Sequence, residues 1–437
     1  MSFAAFEEFL RKVTSKVKSK GAHGMIKKEL HSHLVELSQS FQKRDSSKEE
    51  ADKKAIKEMG NPFTIGENLN RLHKPRMDWI LIALFLIIAG ISFLPLVGGI
   101  EEVFESSLYF MQRHAIWYTL ATFVILGFLF FDYRKLKNLW MFFYGSGLLI
   151  LLYTYSFGIT INGAARWMAF GGFHVDVTIT LFLFFLAWAG IMNKINEFNR
   201  VKKQVLLFFL FWTPIFFYML LPHFMLSIIY FCYVLTMFAF SQVPKKFAMK
   251  LATPFLTVGI VFIIIITLTF RGTYLFHRLF AFINPSANPN EEGYMYIVVR
   301  DILSQAGWFG NGLYTQTGSL PFAHTDFAFP YLVYSLGWLF GISLCLLLLI
   351  FISRIALNAF KTKDLYGRLL VIGGATIISV PAFWNILMGF GIVPIMAVSL
   401  PFISYGGSML FFYSAILGLI LNVYRRKDIV EPTIVKL

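Results

Sequence analysis

The sequence has few cysteines, few charges and, after residue 78, no long polar stretch. Cys232 and Cys345 are its only cysteines, and both fall within apolar segments. We expect them to be small buried side chains that form neither a disulfide nor a metal site. Charged residues make up 14% of the 437 residues, whereas 57% are hydrophobic and 50 are phenylalanine. This composition excludes an ordinary soluble domain and predicts a polytopic membrane protein.

The net charge of +15 does not come with a nucleic-acid-binding motif. Residues 1–78 contain 16 of the 39 lysines and arginines and 11 of the 24 acidic residues, so their positive excess is modest. A basic face beside anionic membrane lipid explains the sign of the charge, and we expect no nucleic acid partner. The first 20 residues carry charges throughout and lack the apolar core of a signal peptide. The N-terminus is therefore predicted to stay in the cytoplasm.

Residues 1–76 are predicted to form a small cytoplasmic helical module. Apolar residues recur three and four positions apart in three segments, 3–13, 25–41 and 48–60. Ser46 or Ser47 can cap the third helix, and Gly60 can end it. The module resembles the prefix domains that precede some bacterial permease-like proteins, and this resemblance implies a docking or regulatory role.

Ten apolar segments are long enough to cross a membrane. Residues 77–428 are thus predicted to form an all-α domain with ten transmembrane helices, followed by a tail at 429–437. With the N-terminus inside, the inner loops and tail carry 18 lysines and arginines, and the outer loops carry five. This asymmetry predicts that both termini are cytoplasmic and that the large loop 270–327 is extracytoplasmic. The ten segments are 79–97, 115–131, 139–157, 175–192, 205–221, 224–241, 251–269, 328–352, 369–390 and 408–424.

The outer face has few ionisable residues, and each permits two interpretations. Arg166 beside Trp167 is either an interfacial pair typical of membrane proteins or a cation that binds a lipid diphosphate. Asp176 is either the cap of the fourth span or a functional acid. Asp326, at the mouth of the eighth span, is either a helix cap or a catalytic base, and the residues alone leave both open.

Three stretches, in order and spacing, resemble one protein family. The chain is similar to the SEDS (shape, elongation, division and sporulation) proteins of the FtsW/RodA/SpoVE type. The matching stretches are NGAARW at 162–167, a set that runs from GY at 293 through GWFGNGL to LPFAHTDF at 320–327, and LPFISYGGS at 400–408.

The resemblance implies a glycosyltransferase that polymerises lipid II at the outer face of the bacterial cytoplasmic membrane, beside a class B penicillin-binding protein. Lipid II is the disaccharide-pentapeptide carried on undecaprenyl diphosphate. The family's essential aspartate corresponds to Asp326, which would act as the general base. No cofactor is certain from the resemblance, which permits a divalent cation although no ligand cluster in the sequence indicates one. The implied substrate-binding residues are Arg166, Trp167, His324, Thr325, Ser404 and Tyr405.

Several polar residues of the family pattern are replaced. These losses keep two alternatives open, a lipid II flippase and a non-catalytic scaffold for a transpeptidase. Because groups of both signs are lost together, we expect a rebuilt polar network in this chain. The replacements are Ala165 for one of the two arginines of NGARRW, Thr180 for the lysine of the QPSE…K element, His223 for the acid of PDLGT, Met295 and Val298 for glutamines, and Tyr334 and Ser335 for glutamates.

Overall fold

The computed structural model of the chain describes residues 2–43, 47–98, 107–161, 164–170, 173–270, 277, 281–313 and 320–429. The chain divides into two compact units. The first comprises Met1–Asp78, Phe360–Leu365 and Val423–Leu437, and the second comprises Trp79–Ala359 and Tyr366–Asn422. The predicted domain boundaries at residues 76 and 428 follow hydropathy rather than packing, and they stay a prediction.

Four helices build the N-terminal part of the first unit. Three of them occupy the predicted segments, and Ser47 caps the third by accepting a hydrogen bond from the Glu50 amide at 3.4 Å. The fourth was not predicted, because Asn61-Pro62, directly after Gly60, is typical of a helix end as well as of a helix start. In fact Asn61 Oδ1 accepts from the Phe63 amide at 2.9 Å, and Pro62 sits in the first turn, where its missing N–H is harmless. The helices are α1 Ser2–Ser15, α2 His23–Gln42, α3 Lys48–Met59 and α4 Pro62–Leu72.

The C-terminal segment packs within this first unit. Ile429 is buried in the same hydrophobic cluster as residues of α1 and α2. Arg76 Nε lies 3.3 Å from Asp428 Oδ2, and His73 Nδ1 lies 2.8 Å from the Asp428 carbonyl oxygen. The segment that follows the last membrane helix is therefore part of a folded unit up to Ile429. The cluster contains Phe6, Phe9, Leu10, Val13, Val17, Ala22, Ile26, Leu34, Ala55 and Ile429.

The second unit is mostly helical, as predicted, and the chain is a multi-pass membrane protein. Within the described ranges, seven helices are long and apolar enough to cross a membrane, and three shorter apolar helices lie at the remaining predicted spans. The count of ten spans and the cytoplasmic termini stay predictions. The helices are α5 Trp79–Ile91, α6 Pro95–Gly98, α7 Ser107–Phe130, α8 Trp140–Phe157, α9 Ile179–Asn193, α10 Val201–Leu220, α11 Phe224–Phe240, α12 Lys245–Phe270, α13 Tyr294–Ser304, α14 Ala328–Phe360, α15 Leu365–Gly389 and α16 Gly407–Arg426.

A small antiparallel sheet between α8 and α9 was not predicted. Its strands are β1 Ile159–Ile161, β2 Ala164–Phe170 and β3 Phe173–Asp176, in the order β1-β2-β3. The register places Trp167 opposite Asp176. Because cross-strand neighbours lie about 4.5–5.5 Å apart, this pairing brings the Arg-Trp dipeptide of β2 next to the acid at the end of β3.

Helix α14 is broken near its beginning, at Gly337. This residue has φ 85° and ψ 170°, a conformation that favours glycine. Backbone hydrogen bonds of 2.9–3.2 Å join the segment 307–312 to residues on both sides of the break. A Cβ atom on Gly337 would lie 2.2 Å from the Trp308 carbonyl oxygen, so no larger residue fits without a shift. The glycine-rich segment thus holds the short N-terminal piece of α14, whose first residue follows Asp326 by two positions.

Helix α10 contains a proline, and two neighbouring tyrosines supply the hydrogen bonds that replace the one the proline cannot donate. Pro214 has no N–H to donate to the carbonyl of Leu210, four residues earlier. That carbonyl instead accepts from the hydroxyls of Tyr144 at 2.9 Å and Tyr230 at 3.2 Å. Helices α8, α10 and α11 are therefore joined at a point buried in the apolar interior.

Candidate active site

Asp326 lies in the turn 320–327 that leads into α14, and it is half-buried. Its backbone carbonyl accepts a hydrogen bond from Asn385 Nδ2 at 2.8 Å. Within the described ranges its carboxylate accepts no hydrogen bond, and Thr325 donates its hydroxyl back to the Phe322 carbonyl at 3.3 Å. Neither side chain caps α14 there. The Asp326 carboxylate is thus left available to a group from outside the chain.

The environment of Asp326 favours its neutral form. Burial raises the pKa of the carboxyl to about 6, because a carboxylate loses hydration as it is buried. The positive charge of Arg166 acts in the opposite direction and lowers this pKa. A general base works best when its pKa is near the working pH, and Asp326 meets this condition far better than an exposed aspartate would.

The LPFISYGGS element holds the turn 320–327 in place. Three successive carbonyls of the turn, those of residues 324, 325 and 326, each accept one hydrogen bond. The donors are, in that order, the Tyr405 amide at 2.9 Å, Ser404 Oγ at 2.5 Å and Asn385 Nδ2 at 2.8 Å. The two stretches that resembled the family motifs are therefore in direct contact, although nearly 80 residues separate them in the chain.

Aromatic rings pack around the same turn. The ring of His324 lies 5.6 Å from that of Phe110 and 5.8 Å from that of Tyr405, and Tyr405 in turn lies 5.6 Å from the buried His114. These distances are typical of aromatic pairs that stabilise one another. His324 and Tyr405 thus belong to the support of the Asp326 turn, and their predicted contact with substrate stays a prediction.

Loss of the Ser404 hydroxyl is expected to lower the turnover rate. In Ser404→Ala the bond to the Thr325 carbonyl and the bond from the Leu400 amide, at 2.8 Å, both disappear. Because small displacements of a catalytic group are costly, we expect kcat to fall about 10- to 100-fold with little change in KM. The measurement is steady-state glycan polymerisation.

Ser404→Thr keeps the hydroxyl and is expected to recover most of the activity, whereas Ser408→Ala, in the same element, serves as the matched control. Equal kcat values for Ser404→Ala and the control would show that Ser404 does not position the turn.

Arg166 projects from β2 and pairs with Asp176. Its Nε lies 2.8 Å from Asp176 Oδ2, and its guanidinium lies 5.6 Å from the centre of the Trp167 ring. The other oxygen of Asp176 accepts from the amide and hydroxyl of Thr178, at 2.8 and 2.6 Å. Asp176 therefore orders the turn before α9 and also holds Arg166, and a functional role for this acid stays a prediction.

A cation whose charge acts on a half-buried carboxylate suits transfer from a phosphorylated donor. The carboxylate can accept a proton from an attacking hydroxyl, and the guanidinium can bind a departing diphosphate. Among the residues described, no group of three or more His, Cys, Asp or Glu side chains could hold a metal ion. The divalent cation stays untested.

Comparison with known proteins identifies the family. A family model described as "Cell cycle protein", which covers FtsW, RodA and SpoVE, matches residues 75–429. The chain belongs to this family.

Members of the FtsW/RodA/SpoVE family align over most of the chain. It is 26% identical over 375 residues to a probable peptidoglycan glycosyltransferase FtsW from Geobacter sp. (strain M18), an alignment that covers 82% of this chain and 99% of the relative. The protein of the same name from Thioalkalivibrio sulfidiphilus (strain HL-EbGR7) is 28% identical over 384 residues, with 82% and 92% covered.

Solved structures share the fold. The rod shape determining protein RodA from Thermus thermophilus matches with a TM-score of 0.57 and 21% identity, over 80% of this chain and 97% of RodA. A chain from a peptidoglycan synthase complex that coordinates polymerization and crosslinking matches with a TM-score of 0.66 and 22% identity, over 80% and 98%.

At two positions where a polar residue of the family pattern is replaced, the side chain present in this chain forms a hydrogen bond with another residue. Thr180, where the family has a lysine, is fully buried and shares a 2.6 Å hydrogen bond with Tyr218. His223, where the family has an acid, donates from Nε2 to the Ala165 carbonyl at 3.0 Å. Burial lowers the pKa of His223, so its ring is neutral when it makes this contact. Both side chains therefore take part in neutral hydrogen bonds.

The partners of two residues in this site were not predicted from the sequence. Gly171-Gly172, between two short and mostly apolar runs, is a turn signal that could have indicated a hairpin pairing Asp176 with Arg166. His223 was noted only as a lost acid, and no signal in the sequence linked it to Ala165, because 58 residues separate them.

Proposed function

We propose that this protein is a peptidoglycan glycosyltransferase that polymerises lipid II at the outer face of the bacterial cytoplasmic membrane. Asp326 is the general base, and Arg166 stabilises the leaving diphosphate. The observation that carries the proposal is the half-buried Asp326 carboxyl, whose pKa is raised to about 6 beside the charge of Arg166. The names of the FtsW relatives supply the reaction class.

The chemistry assigns one role to each residue. A sugar hydroxyl of the acceptor attacks the anomeric carbon of the lipid-linked donor, and its proton passes to the Asp326 carboxylate. The bond from the anomeric carbon to the diphosphate oxygen breaks, and undecaprenyl diphosphate leaves with the electron pair. Arg166 meets the negative charge that develops on this oxygen. In this proposal Trp167 packs against the lipid-linked sugar or diphosphate.

The helical module and the partner complete the proposal. We place the module of residues 1–76 and both termini in the cytoplasm, because of the excess of lysine and arginine in the loops on that side. Polymerisation then occurs next to a class B penicillin-binding protein, in keeping with the match to a chain of a peptidoglycan synthase complex.

The rate of polymerisation should depend on pH through Asp326. A general base acts in its deprotonated form, and a raised pKa means that this form is lost as the pH falls through about 6. We therefore expect kcat/KM to be nearly constant above pH 7 and to fall about tenfold per unit well below pH 6. Initial rates between pH 5 and 8 measure this. A profile that is flat across this range would contradict the assigned role.

The test of the function uses purified full-length protein, lipid II and a gel assay for glycan strands, with and without a penicillin-binding protein. Strands made by the wild type support the proposal. If no strands form in either condition, the polymerase assignment is wrong and the scaffold alternative gains support. If labelled lipid II instead crosses vesicle membranes without polymerisation, the flippase alternative is favoured.

A further inference from the structure

A second site lies away from Asp326, among helices α9 to α12. A cavity of about 110 Å³ is bounded there by ten side chains that are aliphatic, aromatic or methionine. Its floor is almost fully buried and includes Trp188 and Phe211, whereas Phe231 and Leu235 on its edge are 38% and 49% exposed. The cavity therefore opens sideways, toward the surrounding bilayer.

The lining of the cavity selects hydrocarbon rather than water. The indole N–H of Trp188 donates to the Tyr230 hydroxyl at 2.6 Å, so this polar atom is already satisfied within the chain. A buried water needs two to four polar partners, and aliphatic and aromatic walls do not offer them. An acyl chain from the adjoining lipid can fill the space and bury its own apolar surface.

Positive charge lies at one end of the same helices. The segment 194–203 joins α9 to α10 and carries four basic residues against one glutamate. Lys194 follows the lining residue Met192 by two positions, and Lys203 lies one helical turn before the lining residue Leu207. Basic groups next to a space between membrane helices are typical of sites for anionic lipid headgroups.

We propose that this cavity binds one acyl chain of an anionic phospholipid, with the lipid phosphate held by Lys194 and Lys203. The apolar lining takes the chain, and the basic segment selects the headgroup. The site is separate from the reaction at Asp326 and does not depend on the function proposed above.

The experiment measures lipid retention by native mass spectrometry on the detergent-solubilised full chain. Phosphatidylglycerol and phosphatidylcholine with the same acyl chains are added in turn. We expect the wild type to retain phosphatidylglycerol about 25-fold more tightly, since each of the two lysines near an anionic headgroup contributes about fivefold. The double variant Lys194→Gln, Lys203→Gln should lose this preference, whereas the control Lys135→Gln on another basic loop should keep it.

Filling the cavity tests the second half of the proposal. Ala252→Phe occupies space needed by the acyl chain and should weaken retention of both lipids at least about fourfold, the equivalent of one buried methylene. The matched control Val258→Phe changes a residue of the same helix outside the lining and should bind as the wild type does.

The outcomes separate the two parts. Equal retention of both lipids by the wild type would overturn the headgroup assignment. Normal retention by Ala252→Phe would overturn the cavity as the chain site, even if the lysine variants lose binding. Should Ala252→Phe fail to fold, Val234→Phe fills the same cavity from α11 and takes its place.

Discussion

Asp326→Asn is expected to lower the rate of glycan polymerisation by about 10²- to 10⁴-fold, the usual contribution of a general base. The amide has nearly the same shape as the carboxyl group but cannot accept the hydroxyl proton. Polymerisation by purified wild type and variant, measured at the same lipid II concentration, gives the ratio directly. The pH dependence assigned to Asp326 should disappear together with the activity.

The same variant should fold normally, and this separates catalysis from stability. The Asp326 side chain accepts no hydrogen bond from the residues that the structure describes, and burial disfavours its charge. Asparagine removes that unfavourable charge, so the unfolding temperature should stay the same or rise slightly. Asp301→Asn, an exposed aspartate of α13 in the same large loop, is the matched control and should keep full activity. If Asp326→Asn retains more than about a tenth of the wild-type rate, Asp326 is not the base.

Arg166→Gln is expected to have the second largest effect. Removing a group that stabilises developing negative charge typically lowers the rate about 10²- to 10³-fold. The loss of its charge should also raise the pKa of Asp326 further, so the pH profile should move to higher pH. Because the Asp176 side chain is only 3% exposed and loses its ionic partner, we also expect a destabilisation of about 1–3 kcal/mol.

A double variant separates the two consequences of losing Arg166. In Arg166→Gln, Asp176→Asn the buried negative charge is removed as well, so most of the stability should return while the activity does not. Polymerisation rates and thermal unfolding of the two single variants and the double variant complete the cycle. Recovery of activity with stability would show that Arg166 acts only through the fold. Arg113→Gln, an arginine in the N-terminal half of α7, is the control for loss of one positive charge.

The rebuilt network expected from the replaced family residues has a partial counterpart in the structure. The negative charge near Arg166 comes from Asp176, whereas the neighbouring Val177 is apolar and buried. Thr180 and His223 contribute neutral hydrogen bonds in place of charges. A partly apolar site with fewer charges needs fewer ion pairs and hydrogen bonds to offset their burial, because each isolated buried charge is costly.

The sequence by itself determined the class, the approximate spans and the motifs. Long apolar segments can exist only in a membrane, and helices are the simple way for each segment to satisfy its own backbone. The helices of the N-terminal module follow from local periodicity and from caps such as Ser47, because these signals act within a few residues. The fourth helix was missed, since Asn61-Pro62 ends one helix and begins the next.

Only the tertiary structure decided how the site is assembled. Asp326 meets Asn385, Thr325 meets Ser404, and Arg166 meets Asp176, through contacts across helices and strands that no local pattern encodes. The same holds for the break at Gly337, which requires the segment 307–312 as a partner for its backbone groups. Hydropathy measures the free energy of placing each residue in lipid, and it treats every position separately. Hydrogen bonds and ion pairs depend on which distant residues become neighbours, and this is settled only when the helices pack.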